Sequence, residues 1–277
     1  DDRDAGVMET DRGTILVTSF TSLAYEPVNR WPKDEKSVLR WKAAHNRLTA
    51  EQRQKMLGAW MVRSTDGGAT WSGRYNSTVN SPHGPIQLAD GRQLYAGKEM
   101  GGEKHRVGAC ESTDDGQTWR WLAQIPTRKG DDPLKYHELH AVETADSRIV
   151  AQIRNHNNNN KGETLQTESS DGGKTWSEPH SIGVYGYPSH LLRLRDDRLL
   201  MTFGHRRKPY GNQARLSEDN GKTWSQPIII NGDAPGADMG YSSTVELDDG
   251  TLLSVWYEVM RGSKKAVLRQ ARWKLKG

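Results

Sequence analysis

Four copies of one eight-residue pattern constrain this chain more than any other feature. They are Ser64-Thr-Asp-Gly-Gly-Ala-Thr-Trp71, Ser112-Thr-Asp-Asp-Gly-Gln-Thr-Trp119, Ser169-Ser-Asp-Gly-Gly-Lys-Thr-Trp176 and Ser217-Glu-Asp-Asn-Gly-Lys-Thr-Trp224. The shared pattern is S-x-D-x-G-x-T-W, and its aspartates (Asp66, Asp114, Asp171, Asp219) are spaced 48, 57 and 48 residues apart. Self-similarity at that period marks an array of structural units, each too small to bury its own apolar face. The residue types describe a turn. A carboxylate accepts hydrogen bonds from turn N–H groups, glycine supplies a positive φ, and the Trp ring packs beneath. The aspartates are therefore structural, and all four Trp residues are expected to be buried.

A second repeat alternates with the first. Apolar runs flank a tight turn at Val7–Val17, Ile86–Tyr95, Ala141–Val150, Leu191–Leu200 and Val245–Leu253. Asp-Gly between such runs is a strong hairpin signal. Each unit thus holds an inner and an outer hairpin, four strands in all, and repetition of that unit gives an all-β propeller. Five units are visible. The last lacks the Asp motif and ends in Ala266–Trp273. Residues 1–277 read as a single domain. The charged stretch 34–57 breaks the rhythm, and Thr49 with Gln52 forms a capping box for a short helix, so an insertion on one face of the disc is expected.

Composition narrows the function. Lys+Arg number 39 against 35 Asp+Glu, a net +4 without a basic block, which argues against nucleic acid. No run reaches the roughly 18 apolar residues of a membrane span. Cys110 is the single cysteine, so no internal disulfide forms. No signal-peptide pattern opens the chain, and any targeting segment is expected to lie outside this sequence. No cofactor is expected. His137 and His140, three apart on a strand, point to opposite faces, so no metal site is expected either.

The five units superimpose on the residue after the inner turn: Thr14, Arg92, Arg148, Arg198 and Thr251. Ten positions upstream lie Asp4, Pro82, Glu138, Pro188 and Tyr241. Eight upstream lie Gly6, Gly84, His140, His190 and Ser243. Strand alternation predicts that both rows face the same way, with Asp4, Glu138 and Tyr241 aimed at one axis and His140 and His190 behind them. Six positions downstream of Arg148 is Arg154; eight downstream of Arg148 and Arg198 are His156 and Arg206.

The S-x-D-x-G-x-T-W motif resembles the Asp box, or BNR repeat, of the sialidase superfamily. Nearly the whole chain fits that repeat, outside residues 27–58. Gly240-Tyr241-Ser242-Ser243 resembles the segment bearing the nucleophilic tyrosine, and Glu138-Leu-His-Ala-Val-Glu143 the segment bearing the glutamate that activates it. Arg154 resembles the second arginine of the carboxylate-binding triad, and Asp4 the aspartate that contacts the N-acyl arm of sialic acid. The resemblance implies six blades, so a first blade is expected upstream, carrying the first triad arginine and a general-acid aspartate. Arg3 and Glu26 are the nearest local stand-ins. Gln213 sits where the third arginine is expected, with Arg206 and Arg207 as replacements. His83, His137, His140 and His190 add a histidine-rich mouth that sialidases do not require. The implied activity is exo-acting hydrolysis of terminal sialic acid. A neutral phenol suits a nucleophile that must approach an anomeric carbon bearing a carboxylate. With a pKa near 10 it needs a base, and arginines recognise the carboxylate with two donors. The alternatives are a propeller enzyme acting on another acidic glycan, or a glycan-binding propeller without catalysis. The expected partner is a carbohydrate, the expected compartment secreted or periplasmic, and the oligomeric state stays open.

Overall fold

The computed structural model describes residues 2–26, 33–100, 106–263 and 265–275. Strands β1 (Asp2–Glu9), β2 (Ile15–Thr21), β3 (Gly58–Ser64) and β4 (Tyr75–Asn76) pair in order as the first blade. In the second, β5 (Val79–Asn80) and β6 (Ile86–Gln87) share the inner place against β7 (Gln93–Glu99), followed by β8 (Val107–Ser112) and β9 (Arg120–Gln124). The third runs β10 (Tyr136–Glu143), β11 (Ile149–Asn155), β12 (Glu163–Ser169), β13 (His180–Tyr185). The fourth runs β14 (Ser189–Arg193), β15 (Leu199–His205), β16 (Gly211–Ser217), β17 (Ile228–Asn231). In the fifth, β18 (Met239–Glu246), β19 (Leu252–Val259) and β20 (Ala266–Trp273) are described. The chain is thus all-β with five blades in a propeller arrangement. The insertion carries α1 (Glu35–His45) and α2 (Ala50–Lys55), the latter with the Thr49–Gln52 capping box. Among the described residues no helix is long and apolar enough to cross a membrane.

The four repeated motifs form the same turn. Each Asp accepts from the backbone N–H and the hydroxyl of the Thr four residues on, as Asp171 does from Thr175 at 2.9 and 2.6 Å. Each motif Ser accepts from the N–H of the glycine four residues on, at 2.8–2.9 Å. These bonds hold the Asp carboxyls below the usual carboxylate range, Asp66 and Asp171 at about 2, chiefly through Thr70 and Thr175.

The turns also make the joints between blades. Trp176 packs in the cluster that joins the second and third blades, with Leu94, Leu139, Ile149 and Leu165. Trp119 packs against Met61, Val79 and Tyr95, between the first and second. Trp224 packs on Val142, Leu191 and Met201, between the third and fourth. Trp273 occupies the fourth joint with Leu194, Leu200 and Leu252. The motif glycine seats against the preceding blade too. A Cβ on Gly116 would lie 2.6 Å from Leu16, and one on Gly173 2.6 Å from Leu94. Finally, in the first three blades the residue after the inner turn reaches forward to the next motif: Thr14 Oγ1 donates to Asp115 (2.6 Å), Arg92 to Gly172 O (3.3 Å), Arg148 to Asn220 O (3.3 Å).

The expectation that all four Trp rings are buried fails at the first motif. Trp176 is 7% exposed, but Trp71 is 44% exposed, while Trp119 and Trp224 are half-buried. The reason lies in the joints. Each ring packs onto the blade before its own, and among the described residues no blade precedes the first. Gly68 meets only its own Trp71. On the same blade the row Val7–Val17–Val62 leaves Val7 64% exposed. Across the ring, the fifth blade presents Val245 at 51% and Leu268 at 86%.

Candidate active site

Plain alternation does not aim the site residues; a bulge does. Pairing slips by one residue between Arg3 and Gly6, between His137 and His140, and between Gly240 and Ser243. Each slip holds one residue at positive φ: Asp4 at 50°, Glu138 at 44°, Tyr241 at 56°. A bulge re-aims a side chain at the end of a strand. Left-handed backbone at Glu and Tyr is uncommon, costs about 1–3 kcal/mol each, and clusters at functional sites. The two rows of the superposition therefore part company: Glu138 enters the mouth while His140 stays within the channel.

Three of these side chains meet. The Tyr241 hydroxyl donates to Glu138 Oε1 at 2.6 Å. Arg154 Nη1 bonds Glu138 Oε2 at 2.5 Å and the Tyr241 oxygen at 3.1 Å. Burial first, then the Glu138 charge, pushes the Tyr241 phenol well above its ordinary range, with Arg154 opposing. Arg154 is braced in turn. Its Nε donates to His156 Nε2 at 2.8 Å, and its guanidinium lies 4.4 Å over the Tyr187 ring. Burial and the Arg154 charge hold His156 below its ordinary value, so it can accept that bond. Neighbouring His137, 4.8 Å away ring to ring, is lowered to about 4 by burial and by Lys98.

Tyr241 lines a cavity of about 450 Å³ together with Arg3, Asp4, Pro82, His83, Ser243 and Tyr257. Asp4 is raised from 3.8 to about 6, first by burial and then by the Glu138 charge, against the pull of Arg154 and Arg3. Arg206 reaches the same mouth, 5.7 Å from the rings of both Tyr187 and Tyr241, with Nε and Nη2 buried and unpartnered. Arg207 instead lies over Tyr185, exposed. Gln213 is half-buried on β16, paired with Phe203 and Ile229. Glu26 pairs with Arg53 of the insertion at 3.2 Å. Arg3 borders both this cavity and the one beneath α1, so the insertion adjoins the mouth.

His83, His140 and His190 form one cluster in the channel. Their ring centroids are 4.7–5.3 Å apart. His140 Nδ1 accepts from Leu191 N at 2.9 Å, and His83 Nδ1 lies 3.0 Å from Ser243 Oγ. Burial lowers all three, which leaves them neutral. His83 borders the mouth and also a second cavity on the far side, lined by Val7, His140, His190 and Val245 among others. Close approach at the axis requires Gly6, because a Cβ there would run into the Gly84 backbone. Among the described residues no group of three or more His, Cys, Asp or Glu is arranged to hold a metal ion.

Two site residues escaped the sequence reading. Tyr257 lies 5.8 Å from the Tyr241 ring and donates to Asp238 at 2.9 Å. It stands six positions after Thr251, the offset of Arg154 from Arg148, so the superposition contained it. Tyr187 directly precedes Pro188 of the upstream row and carries no comparable signal.

A family model described as BNR repeat-like domain matches residues 25–253. No curated protein matches the chain. Among solved structures, a protein of unknown function from Dyadobacter fermentans DSM 18053 is 24% identical with a TM-score of 0.76, over 99% of this chain and 77% of that one. The Hadza microbial sialidase Hz136 is 18% identical with a TM-score of 0.65, over 98% of this chain but only 52% of its own. A Penicillium chrysogenum α-L-arabinanase, solved with arabinobiose, is 14% identical with a TM-score of 0.61, over 99% and 81%. At these identities the likeness is one of fold.

Proposed function

Because the chain belongs to the family of BNR repeat-like domains, we propose that it is a glycoside hydrolase that releases terminal sialic acid through a tyrosine nucleophile. The observation that carries this is the 2.6 Å bond from the Tyr241 hydroxyl to Glu138, bridged by Arg154. A phenol pushed up by burial is a poor nucleophile alone. Handing its proton to Glu138 as the bond forms removes that difficulty, since proton transfer and attack share one step. Arg154 offsets charge on both partners and offers a guanidinium to a substrate carboxylate. Arg206, with two unpartnered nitrogens, offers a second.

The four motifs are Asp boxes on this reading, and a sixth blade completes the ring between the fifth and the first. Bare Trp71, open space at Gly68 and the exposed Val7, Val245 and Leu268 support it.

The test is Tyr241→Phe assayed on 4-methylumbelliferyl sialoside. We expect kcat to fall by about 10³-fold or more while KM moves only a few-fold, because the hydroxyl acts in the transition state. Near-normal turnover by the variant would remove Tyr241 as nucleophile. A second reading, hydrolysis of another acidic glycan by the same pair, is favoured by Gln213 standing in place of the third arginine. Turnover of an aryl uronide rather than the sialoside would select it.

A further inference from the structure

We propose that His156 is a positioning residue for Glu138: by accepting from the Nε of Arg154, it keeps that guanidinium from clamping the Glu138 carboxylate with two donors, and so leaves one carboxylate oxygen to the Tyr241 hydroxyl. This rests on the hydrolase reading above and adds to it a residue that the family resemblance does not supply.

The starting point is a preference that this site does not follow. An arginine beside a carboxylate often closes on it as a fork, two parallel N–H groups on two oxygens. Here the pair is single. Arg154 Nη1 bonds Glu138 Oε2, and Glu138 Oε1 is left to the Tyr241 hydroxyl at 2.6 Å. A fork would occupy both oxygens and favour the charged carboxylate further, which makes it a weaker base.

His156 holds the guanidinium away from that arrangement. The group is flat and its five N–H groups point in fixed directions, so fixing Nε and one face fixes the rest. Nε donates to His156 Nε2 at 2.8 Å, and the Tyr187 ring covers a face at 4.4 Å. Nη1 is then aimed between Glu138 and the Tyr241 oxygen, the latter 3.1 Å away. Among the described residues nothing bonds Nη2, which leaves it to a ligand.

The backbone makes His156 firm enough for this task. It follows β11 between two buried asparagines, Asn155 and Asn157, 0% and 4% exposed. Asn155 Nδ2 donates to Asn159 O at 2.9 Å, and Asn157 Oδ1 accepts from Asp132 N at 2.8 Å. The His156 N–H donates to Lys135 O at 2.9 Å, which ties it to the residue before β10, the strand of Glu138. The polar loop at 157–160 thus presents one imidazole at the rim of the mouth. Only a ring without a proton on Nε2 can accept from Arg154, so its proton sits on Nδ1. The groups that face this ring are Arg154, Glu138, Lys98, Arg206, His137 and Tyr187. The cations among them outnumber the single anion, which favours the uncharged ring.

The test separates the acceptor from the ring. His156→Leu removes the acceptor and keeps apolar bulk. It should lose about 10²-fold in kcat on 4-methylumbelliferyl sialoside, the scale of a misplaced catalytic group, while KM moves only a few-fold. His156→Gln should recover most of that loss, because its amide oxygen accepts the same bond. Circular-dichroism melts verify that both variants fold. Long-range proton–nitrogen spectra of the histidine rings give a readout that needs no activity. The signals lost in His156→Gln should belong, in wild type at neutral pH, to a ring protonated at Nδ1 and bare at Nε2. A Leu variant as fast as wild type, a Gln variant as slow as Leu, or a loss confined to KM would overturn the proposal, as would a proton on Nε2. A wild type inert on the sialoside would instead overturn the hydrolase reading, and the ring spectrum would still decide whether His156 braces Arg154.

Discussion

Asp4 has a consequence that needs no substrate to observe. Its carboxyl titrates at 3.8 in the ordinary case and at about 6 in the fold. Between those values the folded state holds a proton that the unfolded chain has released, so stability falls as pH rises through the window and stays lower above it. Below 3.8 both states are protonated and the effect disappears. Asp4→Asn should therefore unfold with a free energy higher than wild type at pH 7.5, by at most about 3 kcal/mol at 1.36 kcal/mol per unit. The difference should close by about pH 4, as urea titrations at the two pH values would show. Much of this site was legible from the chain. Asp4, Glu138, Tyr241 and Arg154 sit at fixed offsets from one turn, and rotation of a repeat turns equal offsets into one place. How they aim was not legible, because a one-residue slip in pairing has no signature in Arg3-Asp4-Ala5 or Lys135–Leu139. Arg206 and Arg207 are adjacent, and only the course of the backbone after β15 decides which meets Tyr241.

At the scale of the element, the repeated turns are equal in sequence and unequal in energy. Gly68 and Gly173 occupy the same motif place at φ 89° and 90°, so alanine at either meets the same left-handed penalty, about 1–2 kcal/mol. Only Gly173 is also pressed against Leu94. We expect Gly173→Ala to exceed Gly68→Ala by about 1–3 kcal/mol, the usual cost of overpacking a core. By the same logic Trp176→Ala should cost about 3–5 kcal/mol and Trp71→Ala under about 1 kcal/mol, with guanidinium unfolding of the four variants as the measurement. The sequence reading found every turn, because Ser, Asp, Gly and Thr satisfy one another locally. It misjudged Trp71, because burial of that ring belongs to the neighbouring blade and no motif carries its neighbour.

Across the whole molecule, the faces of the first and fifth blades decide what the ring is. Leu268 stands 86% exposed on the fifth. On the proposal that a sixth blade closes the ring, Leu268 is covered and Leu268→Asp should lower stability by more than about 2 kcal/mol, the mark of a charge forced into an apolar joint. A bare face would leave it within about 0.5 kcal/mol, as for ordinary surface positions. The three channel histidines carry a different consequence. Clustered between the two cavities, with His140 and His190 stacked and His83 edge-on to both, they narrow the axis at its waist, so whatever enters at Tyr241 meets imidazoles. On the hydrolase reading proposed above, a glycan reaches Tyr241 from one side of the disc and leaves by that same side.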